Sequence, residues 1–161
     1  MALVTLMFVA PLMIGVWEVG RLIQVQQIVS NSAREGARLA GQAFIVNPDG
    51  SFTQVHVSSG TPNVHDVVYQ YLIAAGLTNL QSEDVQVTFT FTAPRSSDGV
   101  TPTEPYLGEK NEPFTVTVTI PWAKVRWVNL GLINPTSVTF TVTWQMLTDD
   151  KFTVNEVLPS W

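Results

Sequence analysis

Met1-Ala2-Leu3-Val4-Thr5-Leu6-Met7-Phe8-Val9-Ala10-Pro11-Leu12-Met13-Ile14-Gly15-Val16-Trp17 contains no charged side chain, and the apolar pattern passes without a break into Glu18-Val19-Gly20-Arg21-Leu22-Ile23. At about 1.5 Å per residue, a helix from Met1 to Ile23 spans roughly 33 Å, enough to cross the hydrocarbon core of a bilayer. A chain that opens this way must hide its first two dozen residues in a membrane or against copies of itself. The run lacks the marks of an ordinary secretory signal, with no basic region ahead of it and no small-residue cleavage site at its end.

The helical pattern continues through Ser32-Ala33-Arg34-Glu35-Gly36-Ala37-Arg38-Leu39-Ala40, but its character changes near Glu18. Before that point the segment is apolar all round, as lipid or the centre of a bundle requires. After it, Leu22, Val25, Ile28, Val29 and Leu39 keep an apolar stripe, while Gln24, Gln26, Gln27 and Asn31 face elsewhere. Two rows of small residues follow at four-residue spacing: Ser32, Gly36 and Ala40, and Ala33, Ala37 and Gly41. Such rows let a second helix or a sheet approach the backbone closely, whether from this chain's own head or from a neighbour. Pro11 removes one backbone hydrogen bond and crowds the carbonyl four residues back, which predicts a kink or local break.

Length and composition bound the remainder. At 161 residues the chain is one domain with an appendage. Acids outnumber bases, 13 to 8, and the excess is uneven. Up to Phe44 there are three bases and two acids; beyond it there are five bases and eleven acids. An acidic head repels phosphate backbones, so nucleic acid is not an expected partner. The absence of cysteine excludes disulfides, zinc-thiolate sites and thiol chemistry. The head is large enough to bury a core without such staples.

Asn47-Pro48-Asp49-Gly50 is a turn signal that ends the first helical region. Thr61-Pro62 looks like a helix cap followed by proline at the first helical position. Val64, Val67, Val68, Tyr71, Leu72 and Ala75 then recur at helical spacing, with Gly76 as the stop. This second helix is expected to lie on a sheet. Val85, Val87, Phe89 and Phe91 alternate with Gln86, Thr88, Thr90 and Thr92. Phe114 to Ile120 and Val138 to Trp144 repeat that grammar, giving three strands with one apolar face and one threonine face. Strict alternation argues for antiparallel pairing with one side wet. The threonine face suits water before O-linked sugar, and no usable N-glycosylation sequon exists. The polar stretch from Pro94 to Glu112 should be a surface excursion of the kind that carries variable contacts.

Catalytic equipment is not visible, and an enzyme is not expected. No nucleophile–base pairing, phosphate-binding glycine loop or paired-carboxylate motif is present. His56 and His65 lack metal-ligand spacing, and His65-Asp66 reads as a solvated first helical turn. The acids of the 94–112 loop lack the alternation of a calcium loop and read as solvated charge. No cofactor or metal is expected. Trp122, Trp127, Trp144 and Trp161 are better explained by packing than by ligand stacking. Glu18 needs an explanation at the edge of so apolar a run. Its default partner is Arg21, three residues on and on the same helical face; a charge on a neighbouring chain is the alternative.

The runs Met1-Ala2-Leu3-Val4, Val9-Ala10-Pro11-Leu12, Glu18-Val19-Gly20-Arg21-Leu22 and Ser32 to Ala40 together resemble TadE/TadG-like pilins, the type IV pilin-like proteins of the tight-adherence machinery. The resemblance is close over the first quarter of the chain and extends to the rest only in plan. It implies that prepilin peptidase removes a short leader and that the apolar helix waits in the bacterial inner membrane. An assembly platform then extracts subunits into a helical filament at the cell surface. By that alignment Met1 falls at the first mature position, unless it is the initiator. Pilins usually carry glutamate where Thr5 stands, and there it meets the terminal amine of the adjacent subunit. Thr5 cannot supply that charge, so assembly would rest on apolar packing, or the subunit would need no partner ahead of it.

The expected architecture is α+β: a long apolar N-terminal helix over 1–44, then a head over 45–161 with one helix on an antiparallel, threonine-rich sheet of about three strands. Residues 1–28 would serve as membrane or filament core and 29–44 would pack on the head. The assembly residues would be Met1, Thr5, Phe8, Pro11, Trp17, Glu18 and Arg21; Ser32, Ala33, Gly36, Ala37 and Ala40 would provide close helix packing. Each helix offers several hundred Å² of apolar surface, at about 25 cal/mol per Å² a driving force of many kcal/mol. The expected function is a structural subunit polymerising with itself into an adhesive surface filament. One rival is a low-copy, membrane-anchored pseudopilin that primes or caps a pilus made of another protein. Another is a membrane-tethered adhesin that binds through its long loop.

Overall fold

The computed structural model describes residues 2–95, 99–127 and 135–148, with side chains from Met7 onward, so Met1, Asp98, Trp161 and the Thr5 side chain lie outside it. A single helix, α1 (Ala2–Gln42), runs the length of the apolar segment and on through the small-residue rows. The break expected at Pro11 does not occur. The helix runs on through Pro11, which is exposed and forfeits the bond its own nitrogen would donate. The helix stops at Ala43, whose φ of 55° is left-handed. The carbonyl of Gly41, left over at that end, accepts from the Leu147 amide at 2.7 Å.

A hairpin absent from the sequence reading follows, β1 (Phe44–Val46) paired with β2 (Phe52–Gln54). Asn47-Pro48-Asp49-Gly50 is the turn of this hairpin rather than the end of the helix. Gly50 takes φ 81°, and the Asp49 carboxylate accepts from the Ser51 amide at 2.9 Å. Three-residue strands are too short for alternation to reveal them.

The next helix, α2 (Val64–Ala74), is capped by Asn63, not by Thr61. Asn63 Oδ1 accepts from the Asp66 amide at 2.7 Å, while its Nδ2 donates to the Gly60 carbonyl at 2.6 Å. Proline had suggested the first helical position, but an asparagine directly ahead of the apolar repeat can take the cap itself. At the far end Gly76 adopts φ 95°. The Gly76 and Leu77 amides reach back to the Ile73 and Leu72 carbonyls at 3.0 and 3.1 Å, closing a Schellman motif.

The main sheet has the order β3 (Gln86–Phe91), β4 (Pro113–Pro121), β5 (Ser137–Gln145), antiparallel throughout. A single turn of helix, α3 (Trp122–Val125), follows β4 directly. Phe114, Val116, Val118 and Ile120 of β4 are fully buried. On the other face the threonines stand opposite one another; Thr117 and Thr141 hydroxyls bond at 2.8 Å, and Thr119 and Thr139 at 3.0 Å.

The apolar face is covered mainly by α1, which crosses β4 and β5, whereas α2 packs chiefly on α1. The head has the expected helix and antiparallel sheet, with α2 meeting the sheet at β3, while the small-residue rows let α1 cover most of the apolar face. Gly36 meets Val64 and Val68 of α2, and Gly41 meets Trp144. The head begins to cover α1 at Glu18 and has fully buried Val25, inside the stretch 1–28 assigned to membrane or filament core, and Val29 just beyond it.

The 94–112 segment is not a free excursion either. Pro102, Pro105 and Glu112 are buried, and Gly108 lies against Phe91 and Met146. The Glu104 carboxylate accepts from the Val57 amide at 2.9 Å, and Glu112 accepts from the Glu109 amide at 2.9 Å. These acids hold backbone donors instead of facing water.

Candidate functional site

Below the head, α1 stands as an arm. Phe8 is 72% exposed, Leu12 68% and Trp17 62%, and Met7, Met13, Ile14 and Val16 are exposed with them. Pro11 lies among these side chains. Among the described residues the head meets this surface only at its upper end, where Met13, Ile14 and Trp17 face Trp122, Arg126 and Trp127. By length and composition α1 can cross a membrane.

Where the arm enters the head, the structure brings together residues that the sequence separates by a hundred positions. Glu18 is only 6% exposed. Its Oε2 is sealed from solvent and finds no hydrogen-bond partner among the described residues. Arg21, expected to pair with it, turns to the head instead. Its Nε donates to the Val125 carbonyl at 3.1 Å, its Nη1 to Gln24 Oε1 at 3.0 Å, and its guanidinium lies 4.8 Å from the centroid of the Trp127 ring. The cause is α3: a one-turn helix leaves a carbonyl unused at its end, and a guanidinium is well suited to fill it. The Trp17 ring lies 6.0 Å from that of Trp127. These groups line a pocket of about 390 Å³, with Met13, Ile14, Glu18, Arg21, Trp122 and Arg126 around it.

Trp122, Val125 and Trp127 were not singled out from the sequence as partners of α1. The available signal was the break in strand alternation at Pro121-Trp122, where an apolar strand pattern gives way to Trp-Ala-Lys-Val-Arg-Trp. That signal marks a turn, but it does not say what the turn meets.

The close-packing residues lie higher on α1. Ser32, Ala33, Ala37 and Ala40 are fully buried inside the chain's own head, as Gly36 is against α2. Ser32 Oγ donates back to the Val29 carbonyl at 2.8 Å, so its hydroxyl is satisfied within the helix. Arg34 and Arg38 are on the solvent side, and Arg38 pairs with Glu35.

The histidines stitch the head rather than form a centre. His56 lies against Tyr106 with ring centroids 5.0 Å apart and planes tilted by 59°. His65 is not a solvated turn residue; its Nε2 approaches the Ser82 and Val85 carbonyls at 3.1 and 3.0 Å, tying α2 to the start of β3. Among the described residues no group of three His, Asp or Glu side chains could hold a metal ion.

The TadE-like protein family matches residues 1–38, the arm and the first turns of α1 inside the head. This agrees with the resemblance carried by Glu18-Val19-Gly20-Arg21 and Ser32 to Ala40. No curated protein and no solved structure matches the chain.

Proposed function

We propose that this chain, TadE-like over its first 38 residues, is a structural pilin-like subunit that assembles through its apolar arm into a filament at the bacterial surface. The observation that carries the reading is the arm itself: an unbroken helix whose side chains from Met7 to Trp17 are bare outside a head that is otherwise well packed. Apolar surface of that extent has two stable destinations, lipid and other copies of the same helix. A pilin-like subunit uses both in turn, first the inner membrane and then the filament core. Prepilin peptidase and an assembly platform are the partners this life cycle requires. A head joined to its arm by one continuous helix can be withdrawn from a bilayer without refolding, which favours the same reading.

The low-copy alternative, a membrane-anchored pseudopilin that primes or caps a pilus of another protein, is supported by Thr5, which carries no charge for a neighbour's amine. Electron microscopy of material sheared from cells, with mass spectrometry of its N-terminus, separates the two. Filaments composed mainly of this chain are the expected result. Filaments of another protein, with this chain left as a minor membrane species, would transfer the assignment to priming or capping. The adhesin reading rests on the 94–112 segment, and deleting that segment no longer tests it, because Gly108 and Glu112 are part of the head's packing.

A further inference from the structure

The pocket between arm and head has an unusual composition. Its walls are apolar or cationic, from Met13, Ile14 and Trp17 to Arg21, except for one buried Glu18 oxygen and the buried Trp122 Nε1, neither with a hydrogen-bond partner among the described residues. An ionised oxygen in such a place is costly unless a donor reaches it, and the nearest cation on its own helix is committed to Val125 and Gln24. The position of the pocket says where a donor can come from. Glu18 is the first charge after the apolar run, about 25 Å along the helix from Met1, so on an arm that spans a bilayer it sits at the upper edge of the hydrocarbon core, within reach of the headgroups. Trp17 and Trp127, paired at 6.0 Å, are the kind of amphipathic rings that mark that depth.

We propose that the pocket holds one phospholipid with a primary ammonium headgroup, an ethanolamine-type lipid of the surrounding bilayer. This rests on the membrane-anchored stage of the function proposed above. The ammonium donates an N–H to Glu18 Oε2, the phosphate lies toward the guanidinium edge of Arg21, and the upper acyl chain lies along Met13 and Ile14. A choline headgroup has no N–H to give, and a purely anionic headgroup is repelled by the carboxylate. The apolar arm of a neighbouring copy is the weaker candidate: between Ala2 and Trp17 it carries no cation. Arg34 and Arg38 stand on solvent-facing positions well above the pocket.

The test uses the full chain reconstituted in vesicles of equal parts ethanolamine, choline and glycerol phospholipids, extracted gently and weighed intact by native mass spectrometry. The ethanolamine lipid should be retained over each of the others on the order of tenfold, the preference that one charge-assisted hydrogen bond supplies. Glu18→Gln should erase the preference. With the wild-type chain alone, successive N-methylation of the headgroup should abolish retention when the last N–H is lost, so the test does not depend on the variant folding. Equal retention of all three lipids, preference for the glycerol lipid, or a Glu18-dependent dimer in lipid-free detergent would overturn the proposal. Flotation with the vesicles is read separately. A chain that floats in every mixture without lipid preference removes this inference and leaves the anchoring intact; one that does not float removes the anchoring.

Discussion

Gly36 is held by its neighbours rather than by its own backbone. A Cβ added there would come within 2.7 Å of Val68 Cγ2 and 3.1 Å of Val64 Cγ1, whereas one added at Gly20 would meet nothing within 4 Å. Overpacking of this kind costs about 1–3 kcal/mol, and replacing an unencumbered helical glycine by alanine returns about 0.5–1 kcal/mol. Gly36→Val should therefore lower the unfolding free energy by about 1–3 kcal/mol in urea titrations of the full chain in detergent, while Gly20→Ala should leave it unchanged or slightly raised. Equal behaviour of the two variants would mean that α2 does not rest on α1 at this point. The sequence displayed the small residues at four-residue spacing, but spacing alone cannot say which surface fills the groove they leave. The same holds for Glu18 and Arg21: helical geometry makes them neighbours, and only the arrival of Val125 and Trp127 from far along the chain draws the arginine away.

Whole elements depend on a few polar contacts that can be removed one at a time. Asn63 makes three hydrogen bonds at the start of α2, including one to the Asp66 carboxylate at 2.9 Å. Asn63→Ala should cost about 1–2 kcal/mol and speed amide hydrogen exchange in the first turn of α2, leaving β3 to β5 protected. If exchange accelerates evenly through the head, the cap is not a local device. Asp84 joins the short turn before β3 to α3. Its carboxylate accepts from the Gln81 amide at 3.0 Å and lies 3.3 Å from Lys124 Nζ. The Gln81 amide, and then the Lys124 ammonium, hold its pKa below the ordinary aspartate value. A depressed carboxylate adds stability that is present above its unfolded pKa of about 3.9 and is lost as pH falls through the folded value. Asp84→Asn should thus reduce the melting temperature at neutral pH and flatten its decline below about pH 4; a decline as steep as the wild type's would assign the acid sensitivity to other carboxylates. Helix α2 and the three long strands were legible because apolar residues recur at their own periods. The short hairpin, the packed 94–112 segment and α3 were not, since they are too brief for any period and are fixed by what they touch.

The molecule as a whole is a packed head on an apolar helix, and its two parts should fail independently. Lysine at both Leu12 and Met13 puts two charges on the arm, each disfavoured by about 2.5–3.5 kcal/mol near the centre of a membrane helix. The double variant should leave the membrane fraction and lose incorporation into filaments, while near-ultraviolet circular dichroism of the head is retained. Loss of the head signal as well would mean that the arm supports the fold it projects from. The sequence by itself determined the arm, its length, its lack of charge and the alternating strands, because hydrophobic transfer and backbone periodicity act locally and leave their pattern in residue order. It also carried the TadE-like signature of the first 38 residues. Only the tertiary structure decided that α1 covers the sheet and that the head reaches down to Glu18. It alone closed a pocket between Glu18 and the turn after β4, with a carboxylate oxygen unpartnered among the described residues. Those outcomes depend on which surfaces meet across a hundred residues of chain, and close packing selects among such meetings by volume and shape that no local pattern records.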